Sequence, residues 1–194
     1  MSPPAVVARL TGTGVVAIEI PMIKRLLERS SVSYLRPRSV LVEARRATVK
    51  DMESPLITFV TDCHGDLLTE TSKTFSKTEI DSGIIILRYP DAICGKQYNE
   101  WYVTRKEWEE KYVGNPGEGF VRFQSRKEVW KLGLDISPEV IELLGGKDGR
   151  AEISPSWGGT MWALEGGLLT KDGTAIAPQI LERYYVKMPD AQRD

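Results

Sequence analysis

Apolar and polar positions alternate with a period of two through much of the chain and switch to a helical period at a few short places. Along Tyr34 to Ala47, Val40, Val42 and Ala44 fall on one side and Leu41, Glu43 and Arg45 on the other. That is a half-buried strand, with Pro37 marking its start. Strands are also expected at Leu56 to Thr61 and Leu67 to Ser72, joined by a hairpin loop Asp62-Cys63-His64-Gly65-Asp66 in which Gly65 takes positive φ. Ile84 to Tyr89 is the most apolar strand and is expected to be the most buried, and Trp101 to Val103 is a short one after it.

Helices announce themselves by their ends. Pro21 suits a first turn, and Ile23, Leu26 and Leu27 line one stripe against Lys24, Arg25, Glu28 and Arg29, which predicts a helix from Pro21 to Ser30. Thr104 with Glu107 three residues on is a capping box, and Trp108 and Tyr112 stack one turn apart on the helix it opens. Ser137 caps a third helix with Pro138 at its first position, and Gly145 and Gly146 end it. Pro178 opens a last helix reaching Tyr184 or Tyr185, after strands at Met161 to Thr170 and Thr174 to Ala177 around an Asp172-Gly173 turn. Ala5 to Leu10 reads as a strand or arm, Val15 to Ile20 as a second apolar run, and Phe120 to Phe123 as a strand.

The run Val103 to Val113 can be laid on Ile176 to Val186 without a gap. In both, a short strand feeds a brief helix, and an apolar side chain, Trp108 or Leu181, sits four residues before a tyrosine, Tyr112 or Tyr185. This is the mark of a strand-helix unit used twice, each copy laying the same pair on a common sheet. The fold class expected is α+β, mainly antiparallel, with three or four short helices in two similar small lobes. Residues 1–32 form an arm and helix, 33–113 the first lobe, and 114–194 a smaller second lobe, divided at Gly114 to Gly119 where Gly, Asn and Pro crowd together.

Tyr34 to Ala44, Trp101 to Val113 and Trp162 to Val186 together resemble a group of small phage and bacterial proteins named for a Pro-Gly-Asp-Tyr-Gly motif. That group opens on a Tyr-Arg-Lys-Lys-Pro-Val-x-Val-Glu-Ala strand and closes on a glycine-bearing strand, a turn and a Phe-Glu-x-x-Tyr helix. The motif itself is absent here, with Glu165-Gly166-Gly167 standing at its position. The resemblance implies a small phage-type α+β fold and no known reaction.

Composition narrows the function classes. With 26 basic and 27 acidic side chains the chain projects no strong field toward nucleic acid or an anionic membrane. Between residues 21 and 50, eight Lys and Arg face only Glu28 and Glu43, so Arg36, Arg38, Arg45 and Arg46 form a candidate basic patch, or else an ordinary solvated face. Two cysteines, Cys63 and Cys94, are too few for a disulfide scaffold. The start of the chain lacks the pattern of a signal peptide, and no apolar run reaches the roughly 20 residues of a membrane span. A cytoplasmic protein is expected.

Four segments invite chemical readings. Gly12-Thr13-Gly14-Val15-Val16-Ala17 fits a dinucleotide fingerprint, but that mechanism needs a helix starting at the glycines, and Pro21 stands where its second turn would be. Asp62-Cys63-His64-Gly65-Asp66 gathers the single histidine, a thiol and two carboxylates. Neighbouring strand residues point apart, so a turn explains them more simply than a catalytic pair, and a metal site would need further ligands. Gly145 to Arg150 follows a helix and lacks the hydroxyl of a phosphate loop. Trp157-Gly158-Gly159 and Trp162 with Gly166 and Gly167 offer either a stacking surface for a ligand or partner, with Glu165 as its acid, or core packing where glycine makes room.

The expectation drawn is a binding or interaction protein without chemistry of its own, of phage or mobile-element origin, using no cofactor or metal and engaging a protein or small ligand. A small enzyme using Cys63, His64, Asp66 or Glu165 on a polar or nucleotide-like substrate is the alternative. Nucleic-acid binding through residues 24–50 is a third reading.

Overall fold

A computed structural model describes residues 14–28, 32–37, 40–92, 97–125 and 131–187, with backbone alone for 32–37, 131–132 and 187. Ala5 to Leu10, Gly12, Thr13, Arg38, Cys94 and Trp130 lie outside the described residues. The fold is α+β, and every pair of named strands is antiparallel.

The first part of the chain runs α1 (Pro21–Glu28), β1 (Val32–Pro37), β2 (Leu41–Arg46), a 3-10 turn (Val49–Met52), β3 (Ile57–Thr61), β4 (Leu67–Thr71), α2 (Lys77–Asp81), β5 (Ile85–Arg88), β6 (Glu100–Val103) and α3 (Arg105–Lys111). The second runs β7 (Val121–Gln124), β8 (Lys131–Asp135), α4 (Pro138–Leu143), β9 (Arg150–Ile153), β10 (Met161–Leu164), β11 (Leu168–Thr170), β12 (Ala175–Ile176), α5 (Pro178–Tyr184) and β13 (Tyr185–Lys187).

Two expected strands are each divided. Tyr34 to Ala47 becomes β1 and β2 in different sheets, because Pro37 has no N–H to continue a ladder. Met161 to Thr170 becomes β10 and β11, because Gly166, at φ 79°, turns the chain where other residues would be strained. The apolar run Val15 to Ile20 holds a short 3-10 turn at Ala17–Glu19, and a helix does start at Pro21.

The sheets are β6-β5-β2-β7 and β12-β11-β8-β1-β13, with β3-β4 and β9-β10 as separate hairpins. Their registers repeat residue by residue. Ile85 lies between Val103 and Arg46 as Leu168 lies between Ile176 and Asp135, and Ile86 lies between Tyr102 and Arg45 as Leu169 lies between Ala175 and Leu134. The helix after each central strand starts at a matching hydroxyl, Thr48 or Ser137. Ala47 N–H donates to the Ile84 carbonyl at 3.0 Å, as Ile136 N–H does to that of Gly167 at 2.9 Å. The helices α3 and α5 are both seven residues long and end on extended tyrosines, Tyr112 and Tyr185, whose N–H groups cap Trp108 and Leu181.

The repeated unit is therefore real, but its two copies lie on different sheets rather than on one. Each unit also lends its first strand to the other: β1 pairs with β8 of the second, and β7 pairs with β2 of the first. Strand pairing thus crosses the glycine-rich stretch at 114–119.

Each unit has its own core. Ile23 and Leu27 of α1, 0% and 6% exposed, join Val140 and Ile141 of α4 and Leu144 just beyond it over Leu134 and Leu169. Burial of such side chains contributes about 1.5–3 kcal/mol apiece. In the first unit Val42, Ala44, Ile85 and Leu87 pack under Trp108 and Tyr112.

Asn99 ties hairpin β3-β4 to the end of β6. It is 2% exposed; its Oδ1 accepts the Phe59 N–H at 2.8 Å and its Nδ2 donates to the Phe59 carbonyl at 2.8 Å. The Asn99→Ala variant strands both backbone groups, each worth about 1–3 kcal/mol when buried unpaired. Urea unfolding is expected to show a loss of roughly 2–4 kcal/mol, and a loss under about 0.5 kcal/mol would mean the amide is dispensable.

Candidate functional site

A groove of about 460 Å³ opens where the two units meet, lined by Val40, Leu41, Pro90, Asp91, Arg122, Arg183 and Tyr184. Strand β2 supplies Leu41, which is 44% exposed despite its aliphatic side chain. Its alternation sends Val42 and Ala44 into the core and Leu41 and Glu43 to the opposite face.

Along that face runs a row of alternating charge, set by the pairing of Arg122, Glu43, Arg88 and Glu100 across β7, β2, β5 and β6. Glu43 holds Arg88 at 2.8 Å and Arg122 more loosely at 3.6 Å. Arg88 lies between the rings of Tyr98 and Phe120, 4.0 and 3.8 Å from their centroids, and is fixed in place. Burial pushes the Glu100 carboxyl above its ordinary range, and Arg45 and Arg88 pull against that. Arg122, with its side chain 67% exposed, is the member of the row that reaches into the groove.

The opposite wall comes from the end of α5. Arg183 pairs with Asp91, and Tyr184 stacks on Tyr89 with ring centroids 3.9 Å apart. Tyr89 also tilts against Trp101 at 4.6 Å. Burial raises the phenols of Tyr89, Tyr112 and Tyr185, the second to about 12, so this seam is made of neutral, packed rings. The groove consequently has an aliphatic and aromatic floor, with the guanidiniums of Arg122 on β7 and Arg183 on α5 at its sides.

The residues singled out by sequence lie elsewhere. Cys63 and His64 are exposed on the β3-β4 turn. Asp62 is buried beneath that turn; burial pushes its pKa up, but the Asp66 and His64 N–H groups and Arg150 more than reverse this and hold it below the usual value. Arg150 also reaches Asp66 at 3.3 Å, so the turn is fastened to the second unit. A Cβ placed on Gly149 would lie 2.8 Å from Cys63 Sγ and 3.3 Å from Glu165 Oε2, so these two candidates do converge, across a glycine. Among the described residues, no group of three or more His, Cys, Asp and Glu side chains is placed to hold a metal ion.

Trp157 and Trp162 are half-buried. Trp162 donates its indole N–H to the Thr69 carbonyl at 3.1 Å and packs with Val60, Leu68, Leu164 and Ile180. Trp157 sits edge-on to Tyr102 and donates to Thr174 Oγ1 at 3.5 Å. The backbones that Gly159 and Gly167 approach closely are the chain's own, at Thr71 and at Leu164 and Ile176, while Gly158 and Gly166 sit beside Lys73 and Pro178.

In the basic patch, Asp51 takes Arg45 through two bonds of 2.8 and 2.6 Å, and Asn115 takes Arg46 at 2.8 Å. Arg36 lies on β1, its backbone alone described. No described helix is long and apolar enough to cross a membrane.

Sequence reasoning passed over the groove because its lining comes from separate segments without a motif. One signal was present: where the two echoed helices align, Glu110-Lys111 in one stands against Arg183-Tyr184 in the other, and the second pair faces the groove. Comparison with known proteins found no matching family model, curated protein or solved structure.

Proposed function

We propose that the protein is a non-catalytic binding module that holds a segment of a partner in the groove between its two units. One observation carries this reading: an apolar floor of Leu41 and Pro90 from the first unit and Tyr184 from the second is flanked by Arg122 of β7 and Arg183 of α5. Such a surface favours a peptide with an acidic side chain beside an aliphatic one. The carboxylate meets Arg122 and the aliphatic group covers Leu41.

The Cys63, His64, Asp66 and Glu165 set is the basis of an enzymatic reading, and the approach of Cys63 to Glu165 is the observation in its favour. A nucleic-acid reading is weaker, since Arg45 and Arg46 are already engaged by Asp51 and Asn115. Phage or mobile-element origin and a cytoplasmic setting belong to this proposal as well, resting on the sequence resemblance and the cysteine usage.

Selection from a random-peptide display library against the immobilised full chain tests the reading. Enriched peptides should pair an acidic with an aliphatic residue, and the Arg122→Glu variant should weaken them at least tenfold, about 1.4 kcal/mol, with an unchanged circular dichroism spectrum. Peptides that bind Arg122→Glu and Leu41→Asp as well as the parent chain would remove the groove from consideration.

A further inference from the structure

Three consecutive residues of β4 join the two units' hairpins. Thr71 and Thr160 exchange both backbone hydrogen bonds at 3.0 Å and their hydroxyls touch at 3.0 Å. Thr69 takes the Trp162 indole N–H. Between them Glu70, 7% exposed, accepts the Trp162 backbone N–H at 3.0 Å through Oε1. A carboxyl thus stands where a sheet would place a carbonyl. It sits at the place where β4 and β10 diverge, and the residue that donates to it, Trp162, packs against a small apolar cluster of Val60, Leu68, Leu164 and Ala177.

We propose that Glu70 is a protonation-controlled latch, closing hairpin β3-β4 on hairpin β9-β10 when neutral and releasing it when ionised.

The surroundings favour the neutral acid. From β3 the residue opposite is Thr58, whose hydroxyl is spent on the Glu100 carbonyl. From β10 comes the Trp162 N–H, a donor that favours the anion. Ala177, ahead of α5, and Ile180 of α5 join the neighbouring cluster, and Gln179 donates to the Thr61 carbonyl. Burial therefore dominates and pushes the carboxyl up to about 7, with the Trp162 N–H pulling the other way. Because the folded-state value is raised, the contribution of Glu70 is complete below its unfolded value, near 4.3, and is lost as pH rises through about 7.

Release has a consequence for binding. Trp162 is held between Thr69 and the apolar cluster, and the loop of Gly158 and Gly159 lies against Lys73 and Thr71. Opening at Glu70 exposes an indole beside a glycine-rich backbone, a stacking surface that the closed state covers. This surface is distinct from the groove and does not depend on it.

The test uses the full chain between pH 5 and 8.5. The ¹³C shift of the Glu70 carboxyl should titrate near 7. Exchange of the Trp162 and Thr160 amides, corrected for its intrinsic pH dependence, should accelerate at least tenfold across the same midpoint. The Glu70→Gln variant keeps an acceptor for the Trp162 N–H and should show no step. A carboxyl titrating in the ordinary range near 4.3, parent-chain exchange without a step, or the same step in Glu70→Gln would each overturn the latch. Should Glu70→Gln fail to fold, the carboxyl titration of the parent chain decides alone.

Discussion

Replacing Trp108 by alanine is expected to destabilise the protein by about 3–5 kcal/mol, the largest loss from any single truncation in the first unit. Trp108 is 2% exposed and lies at the centre of that unit's core. Its ring stacks on Tyr112 at 4.6 Å and meets the edge of Phe123 at 4.9 Å, so removing it strips two aromatic partners as well as leaving a large void. The indole N–H donates to the Gly114 carbonyl at 2.9 Å, which fixes the chain as it leaves α3. Phenylalanine at this position keeps most of the volume and loses that bond. The Trp108→Phe variant should therefore cost about 1–2 kcal/mol and separate the polar from the apolar share. Denaturant unfolding followed by tyrosine fluorescence measures both. Equal losses in the two variants would show that the hydrogen bond, and not packing, holds α3 down.

What the sequence made legible is what neighbouring residues decide among themselves. The Thr104 and Glu107 capping box forms as expected, with Thr104 Oγ1 accepting the Glu107 N–H at 3.2 Å. Ser137 caps α4 over Pro138, and Gly65 at φ 84° closes the β3-β4 turn. The same rule was available at Ser76 and Glu79, where an identical box opens α2, but five helical residues carry too little periodicity to attract notice. The break at Pro37 followed from a rule about proline, yet alternation on both sides of it masked the change of sheet. Period-two patterning reports which side of a strand is buried and says nothing of which strand lies beside it.

The candidate site was hard to read for the same reason. Leu41, Asp91, Arg122 and Arg183 become neighbours only through tertiary pairing, and none stands in a motif. The residues that looked reactive, Asp62 to Asp66, form a turn whose charges fasten one unit to the other. Density of reactive side-chain types along a chain is a poor guide when a tight turn selects the same residues for its own geometry.

Exchange of first strands makes a further result expected: a chain cut between Glu118 and Gly119 will remain one particle. The two residues are exposed, and a Cβ on Gly119 would meet nothing within 4 Å, so a protease recognition sequence fits there without strain. After cleavage, β1 still forms an inner strand of the second unit's sheet, between β8 and β13, and β7 still forms an edge of the first unit's. Neither fragment carries a complete sheet. The amino-terminal piece lacks the partner of Leu41 to Ala44, and the carboxy-terminal piece lacks the strand to which Tyr185, Val186 and Lys187 pair. Separated in denaturant and refolded singly, each fragment should show little protected structure, whereas mixing them should restore the circular dichroism and elution volume of the intact chain. Two fragments that elute apart after cleavage and fold independently would mean that each unit keeps its own first strand. The groove, whose walls come from both pieces, would then need to be rebuilt from a different pairing.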